Sequence, residues 1–246
     1  SEQGKDEGFA SHLGIMTKVD YRLAPFLAFH ASPSASFSSS RLQSRNPSDD
    51  FASSQIYVED FYLQYVRGDT VEIRAGAIGQ EFLDSPLLVD RHRAFPGLFE
   101  GLHFNLSKKS KLSVIAQQLV PTSRSMNGER DSREPLPVFQ TQTVHLQYPP
   151  TEKWIVGAFV GHYSWQNLPA KTAFYSQQIG NSPSNGLPTN AQFRWAFDGI
   201  FGGVNTTYKF ERDYAIEIGF GRVINMAAPE DRRHGQSILL GPSINQ

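Results

Sequence analysis

His162 and Ser164 are the two residues whose types and spacing come nearest to chemistry in this chain. On an extended strand, residues two apart project to one face. An imidazole and a hydroxyl would therefore lie side by side. Such a pair can run acyl transfer, with histidine as general base, serine as nucleophile and a third group orienting the ring. The sequence identifies no orienting group. With seven histidines in a serine-rich chain, the triplet also arises readily by chance. The expectation is a polar pair without catalysis, in a protein that is not an enzyme. A second set is charged. Glu81, Asp84, Asp90, Arg91 and Arg93 fall in the segment 80–99, while Arg22, Arg74 and Arg194 fall in strand-like segments elsewhere. Opposed charges at a narrow point of a pore set ion and solute selectivity. The same charges can instead pair and fill a narrow interior. His92 and Asp90 share a loop, but no set of residues has metal-ligand spacing, and no glycine-rich loop opens a helix. No metal and no cofactor is expected.

These residues must be positioned by strands. In 70–79, Val71, Ile73, Ala75 and Ala77 alternate with Glu72, Arg74, Gly76 and Ile78. In 213–221, Tyr214, Ile216, Ile218 and Phe220 alternate with Ala215, Glu217, Gly219 and Gly221. Segments 100–107 and 191–198 show the same period, which gives each strand one apolar and one polar or small face. A soluble sandwich would share that period. Two further features favour a membrane barrel. Aromatic residues stand near strand ends, at Tyr57, Tyr65, Tyr148, Trp154, Trp165, Tyr208 and Tyr214. The links also alternate in length. Short ones lie at 67–69, 108–110, 149–152 and 211–212; long ones lie at 32–54, 80–99, 121–136, 166–190 and 225–235. Short periplasmic turns and long extracellular loops are the pattern of an outer-membrane β-barrel.

The fold expected is thus all-β, a single antiparallel transmembrane β-barrel domain over 1–246 with a polar tail at 1–8. Ten strands are expected, or twelve if 9–31 and 191–210 each divide, with both termini on the side of the short turns. A parity change around Gly202-Gly203 predicts a β-bulge there. No run of apolar residues is long enough for a membrane helix. The polar start of the chain suggests a mature terminus with its export signal removed. With 23 basic and 24 acidic side chains, nothing points to nucleic acid as a partner. Cysteine is absent, which excludes disulfides and thiol chemistry.

Residues 74–104 read RAGAIGQEFLDSPLLVDRHRAFPGLFEGLHF. The strand end Arg-Ala-Gly, the loop with Asp84-Ser85-Pro86, the Asp90-Arg91-His92-Arg93 run and the start Phe99-Glu100-Gly101 resemble OprD-type substrate-specific porins. That resemblance covers about 30 of the 246 residues. It implies a loop folded into the lumen as a constriction, with arginines facing acidic loop groups. The residues agree in outline, since Phe82, Leu87, Leu88, Val89, Phe95 and Leu98 make 80–99 too apolar for a solvated tip. The His-x-Ser pair is similar to that of outer-membrane phospholipase A and lipid A deacylase, although Trp165 stands where an asparagine commonly follows in the phospholipase. The function expected is an outer-membrane channel for small polar or charged solutes. Its partners are outer-membrane lipid or lipopolysaccharide and the solute. The alternatives are a non-conducting structural or adhesive barrel, and a lipid hydrolase using His162 and Ser164.

Overall fold

The structure, a computed structural model, describes residues 10–40, 55–80, 88–89, 94–107, 109–121, 135–175, 183, 187–210 and 214–244. Its strands are β1 (Ala10–Met16), β2 (Val19–Ala24), β3 (Leu27–Ser40), β4 (Gln55–Arg67), β5 (Val71–Gly79) and β6 (Ala94–Asn105). They continue with β7 (Lys111–Leu119), β8 (Val138–Tyr148), β9 (Trp154–Gln166), β10 (Phe197–Lys209), β11 (Tyr214–Asn225) and β12 (His234–Ile244). One short helix, α1 (Ala170–Tyr175), sits between β9 and β10. All twelve strands form one sheet with antiparallel neighbours in chain order. β1 and β2 lie end to end along one edge of β3, so the sheet is eleven strands wide.

The strand count differs from ten because 9–31 divides twice, between Met16 and Val19 and at the turn Pro25-Phe26. A register shift between Arg22 and Ala24 keeps odd-numbered residues outward on both sides of that turn. Val19, Tyr21, Leu23, Leu27 and Phe29 therefore read as one uninterrupted apolar parity. β3 then runs on to Ser40, through part of the expected loop 32–54. Segment 191–196 is not part of β10, and β10 pairs both neighbours without a register shift, so there is no bulge at Gly202-Gly203. Ala10 pairs with Ser40 at the long-loop end, while Ile244 pairs with Tyr214 at the short-turn end. The two edges of the sheet therefore do not both end on the short-turn side, as ten strands would require. Among the described residues no ladder joins β12 to β1, so the sheet is a curl with a seam rather than a ring.

The curl is read from contacts across it. Phe95 on β6 and Trp165 on β9 are three strands apart, about 14 Å on a flat sheet. Their ring centroids are 6.5 Å apart. Inside the curl, toward the long loops, Ile78, Phe95, Phe99, Leu119, Phe139, Phe159, Tyr163 and Phe201 form one buried cluster. Each fully buried side chain of this size contributes roughly 1.5–3 kcal/mol. The aromatic rings fit because small residues oppose them. Gly161 pairs with Phe201 and Gly203 with Phe159, and each ring lies against its partner glycine's Cα. A ring covering a cross-strand glycine replaces the packing the glycine lacks.

The outer face is the reverse. Leu63, Leu102, Val114, Val144, Val160, Val204, Ile218 and Phe220 are all exposed. In register they form continuous apolar rows, such as Leu102–Val114–Val144–Val160. At the short-turn end this band finishes in aromatic residues. Trp154 packs edge-on to its cross-strand partner Tyr208 at 5.2 Å, Tyr208 to Phe210 at 4.9 Å, and Phe26 to Tyr65 at 5.9 Å. That is the placement of an interfacial girdle. Trp165 does not belong to it. It faces inward, 4.3 Å from the Phe139 ring. The side chain of Tyr57 lies outside the described residues.

Candidate functional site

The inner face of β2–β7 carries one hydrogen-bonded polar network. It is built by register, since its members come from six neighbouring strands, with Glu72 and Arg74 both on β5. Asp20 on β2 bonds His30 Nδ1 on β3, and His30 Nε2 lies 2.7 Å from Gln64 Oε1 on β4. Gln64 Nε2 donates to Glu72 Oε1 on β5. Arg74 Nε donates to the same oxygen at 2.7 Å, and His103 Nε2 on β6 meets Glu72 Oε2 at 3.1 Å. His103 Nδ1 then contacts Ser113 Oγ on β7 at 2.8 Å. Glu72 is the hub. Its carboxylate is largely shielded and is satisfied by three partners on three strands, as a buried charge requires.

Arg74 is held on its other sides by ring faces. Its guanidinium carbon is 4.7 Å from the Phe99 centroid and 5.3 Å from the Tyr62 centroid. Tyr62 in turn stacks on His30 at 4.9 Å. Cation–π contacts of this kind orient a guanidinium. On the short-turn side the network opens into a cleft of about 340 Å³ lined by Gln64, Asp69, Glu72, His103, Asn105 and Lys111. On the long-loop side the inner face turns apolar. Ile78, Phe95, Leu119 and Phe139 are buried there, and Leu88 and Val89 from the β5–β6 connection pack against them. Between the two lies a buried polar layer, where Gln117 Nε2 donates to Thr141 at 2.9 Å and contacts Gln80 Oε1 at 3.4 Å.

Of the residues expected at a constriction, Arg22 and Arg74 share one inner row, through Arg22–Ala28–Gln64–Arg74. Arg194 is not with them. It precedes β10 at the long-loop end and lies 5.1 Å from the Trp195 ring. Glu81, Asp84, Asp90, Arg91 and Arg93 lie outside the described residues. The expected loop 80–99 is shorter than the sequence suggests, because 94–99 belongs to β6 and pairs with β5. Sequence reading missed Glu72, Gln64, His30 and His103. Glu72 had a signal, since it stands two residues from Arg74 and so shares its face. The others depend on cross-strand register.

On the outer face His162 has a partner that the sequence did not reveal. Its Nε2 lies 2.9 Å from Asp198 Oδ1 on β10. Asp198 is directly opposite Ser164 in the β9–β10 ladder. Among the described residues no group of His, Asp and Glu has the arrangement of a metal site.

A curled antiparallel sheet with an apolar exterior, an aromatic girdle and a polar network inside has the features of a membrane β-barrel wall. No protein-family model and no curated protein matches the chain. Among solved structures it is similar to one described as a NanC porin in a rhombohedral crystal form. That likeness has 12% sequence identity and a TM-score of 0.48, and covers 97% of each chain.

Proposed function

We propose that this protein is an outer-membrane channel that passes small polar or charged solutes. The observation that carries this reading is the inversion of the sheet's two faces. Apolar rows cover the outside, while a six-strand polar network with Arg74 and Glu72 at its centre lines the inside. A side of the sheet turned to hydrocarbon cannot carry such a network, and a lumen filled with water can. In this reading Arg74 and Arg22 supply positive field, Glu72 and Asp20 supply negative field, and a solute bearing hydroxyls or a charge exchanges its water for these groups. The apolar layer of Phe95, Leu119 and Phe139, with Leu88 and Val89 against it, forms the narrowing at the long-loop end. The remaining loop charges, Glu81, Asp84, Asp90, Arg91 and Arg93, and Arg194 near the same end, act at that mouth.

The same apolar layer favours one other reading, a sealed barrel that presents its loops for structural or adhesive work. Planar-bilayer recording separates the two. The channel reading expects discrete conductance steps, and Arg74→Glu should shift ion preference toward cations several-fold, because a fixed charge in a confined pore biases the local ion concentration. No steps from the folded protein, before or after shortening the segment 80–93, would leave the sealed barrel standing.

A further inference from the structure

We infer that the outer face of β6–β8 is an interface through which two copies of this chain pair side by side in the membrane. This pairing rests on the membrane reading of the fold, not on conduction. A polar cluster interrupts the otherwise apolar exterior there. Glu100 on β6, Ala116 on β7 and Gln142 on β8 share one cross-strand row. Leu98, Gln118 and Gln140 make the next outward row toward the long loops. These six residues line a cleft of about 220 Å³. Glu100, Gln118 and Gln142 are exposed in it, and among the described residues their side chains make no hydrogen bond or ion pair.

The tilt of the strands gives the depth of the cluster. The β4–β5 turn closes on the row Arg67–Val71–Leu102, and the β6–β7 turn closes at Asn105–Lys111. From Leu102 to Asn105 is about 10 Å along β6, over two strand spacings of about 4.8 Å, so the tilt is near 45°. Gln118 is six residues above Leu112, the partner of the exposed Phe104, and Gln142 is six above the exposed Tyr148. Each amide therefore stands roughly 14 Å above the aromatic level, within an apolar band about 25 Å tall. Lipid tails offer no hydrogen bond at that depth, and a carboxylate there is costly without a partner. Six residues above Trp154 and Tyr214 stand Val160 on β9 and Phe220 on β11, both exposed and apolar. A headgroup level would ring the barrel, whereas this polarity is confined to three adjacent strands, as a protein contact is.

The cluster is complementary to itself. Gln118 and Gln142 are one strand and one row apart, so the tilt sets them at one height, to either side of Ala116. A two-fold axis along the membrane normal through Ala116 then brings each Gln118 against Gln142 of the second copy. An amide both donates and accepts, so the two contacts are mutual. Ala116 at the axis lets the two walls approach, the role small residues play between membrane segments. Glu100, beside Ala116 in its row, accepts the N–H groups these amides have left. The interface shares no side chain with the lumen network on the opposite face.

The test uses the full chain refolded in detergent and in vesicles. The chain has no cysteine, so Ala116→Cys adds a single thiol. In vesicles it should oxidise to a disulfide-linked dimer, while Val204→Cys on β10 should not. Sedimentation in density-matched detergent should show a wild-type dimer. Replacing Gln118 and Gln142 together by leucine should raise its dissociation constant at least about tenfold, while heat-modifiable gel mobility reports an intact barrel. A folded wild-type monomer, with no cross-link from Ala116→Cys, overturns the interface; conductance steps from that monomer would leave the channel reading intact. A dimer of unchanged strength in the double leucine variant overturns it too, as does equal cross-linking of Val204→Cys. A monomer that carries lipopolysaccharide, lost on the same two substitutions, would assign the cluster to lipid instead.

Discussion

Gly76→Val is expected to prevent most of the protein from reaching the folded, heat-modifiable form on refolding. Gly76 has φ +140°, a backbone conformation that β-branched residues do not tolerate. Its cross-strand partner on β6 is Gly97, which also has a positive φ, so neither strand carries a side chain at this row. A Cβ at Gly76 would stand 2.7 Å from the Cα of Tyr62 on β4. The obstacle is backbone, not the far end of a flexible side chain. Strain in such a region costs of order 1–3 kcal/mol, and overpacking typically adds about 1–3 kcal/mol. Against a net stability of about 5–15 kcal/mol, that is a large share. The displaced strand also carries Tyr62, which supports both His30 and Arg74, so residual folded protein should lose conductance too. Folded yield by gel mobility checks it; a wild-type yield would show that the glycine pair is not a structural requirement.

Phe201→Ala should lower the stability of the folded sheet by about 3–5 kcal/mol. The ring is 2% exposed, lies 6.1 Å from Phe159 and 6.3 Å from Tyr163, and covers Gly161 on β9. Its removal leaves a cavity that the facing glycine cannot fill. The loss should show as a lower urea midpoint with an unchanged slope, since the same surface is exposed on unfolding. A midpoint within a few tenths of a molar of wild type would mean that the interior is loosely packed there. This substitution removes none of the polar groups of the lumen network, so conductance of the surviving folded protein should be retained.

Much of this fold was legible in the sequence, because a period of two and the turn residues are local. The faces of β5 and β11, the short turn at Gly68 and the girdle residues Trp154 and Tyr208 follow directly from alternation. The failures have physical causes. A register shift beside Leu23 hides the Pro25-Phe26 hairpin, by keeping the apolar parity intact through the turn. Phe193 and Trp195 alternate like strand residues yet precede β10, with Phe193 packed on Phe197. Trp165 stands at a strand end but points inward, a matter of parity against Tyr163 and Phe159. The site was the least legible part. Arg74 was identified, but its partner was sought among loop acids rather than at Glu72, two residues away. Asp198 could not be matched to His162 without the register of β9 against β10, which no local pattern encodes.

In the proposed channel, one face of this sheet meets lipid and the other a polar interior. The absence of native cysteine allows one nitroxide label to be placed at a time along 154–166 in vesicles. Electron paramagnetic resonance then compares collisions with oxygen, which partitions into hydrocarbon, and with a water-soluble nickel chelate. A strict period of two is expected. Labels at Val156, Ala158 and Val160 should favour oxygen, while Gly157 and Phe159, which face the interior, should not. Chelate access at Val156, Ala158 and Val160 equal to that of the turn at Thr151 would contradict it.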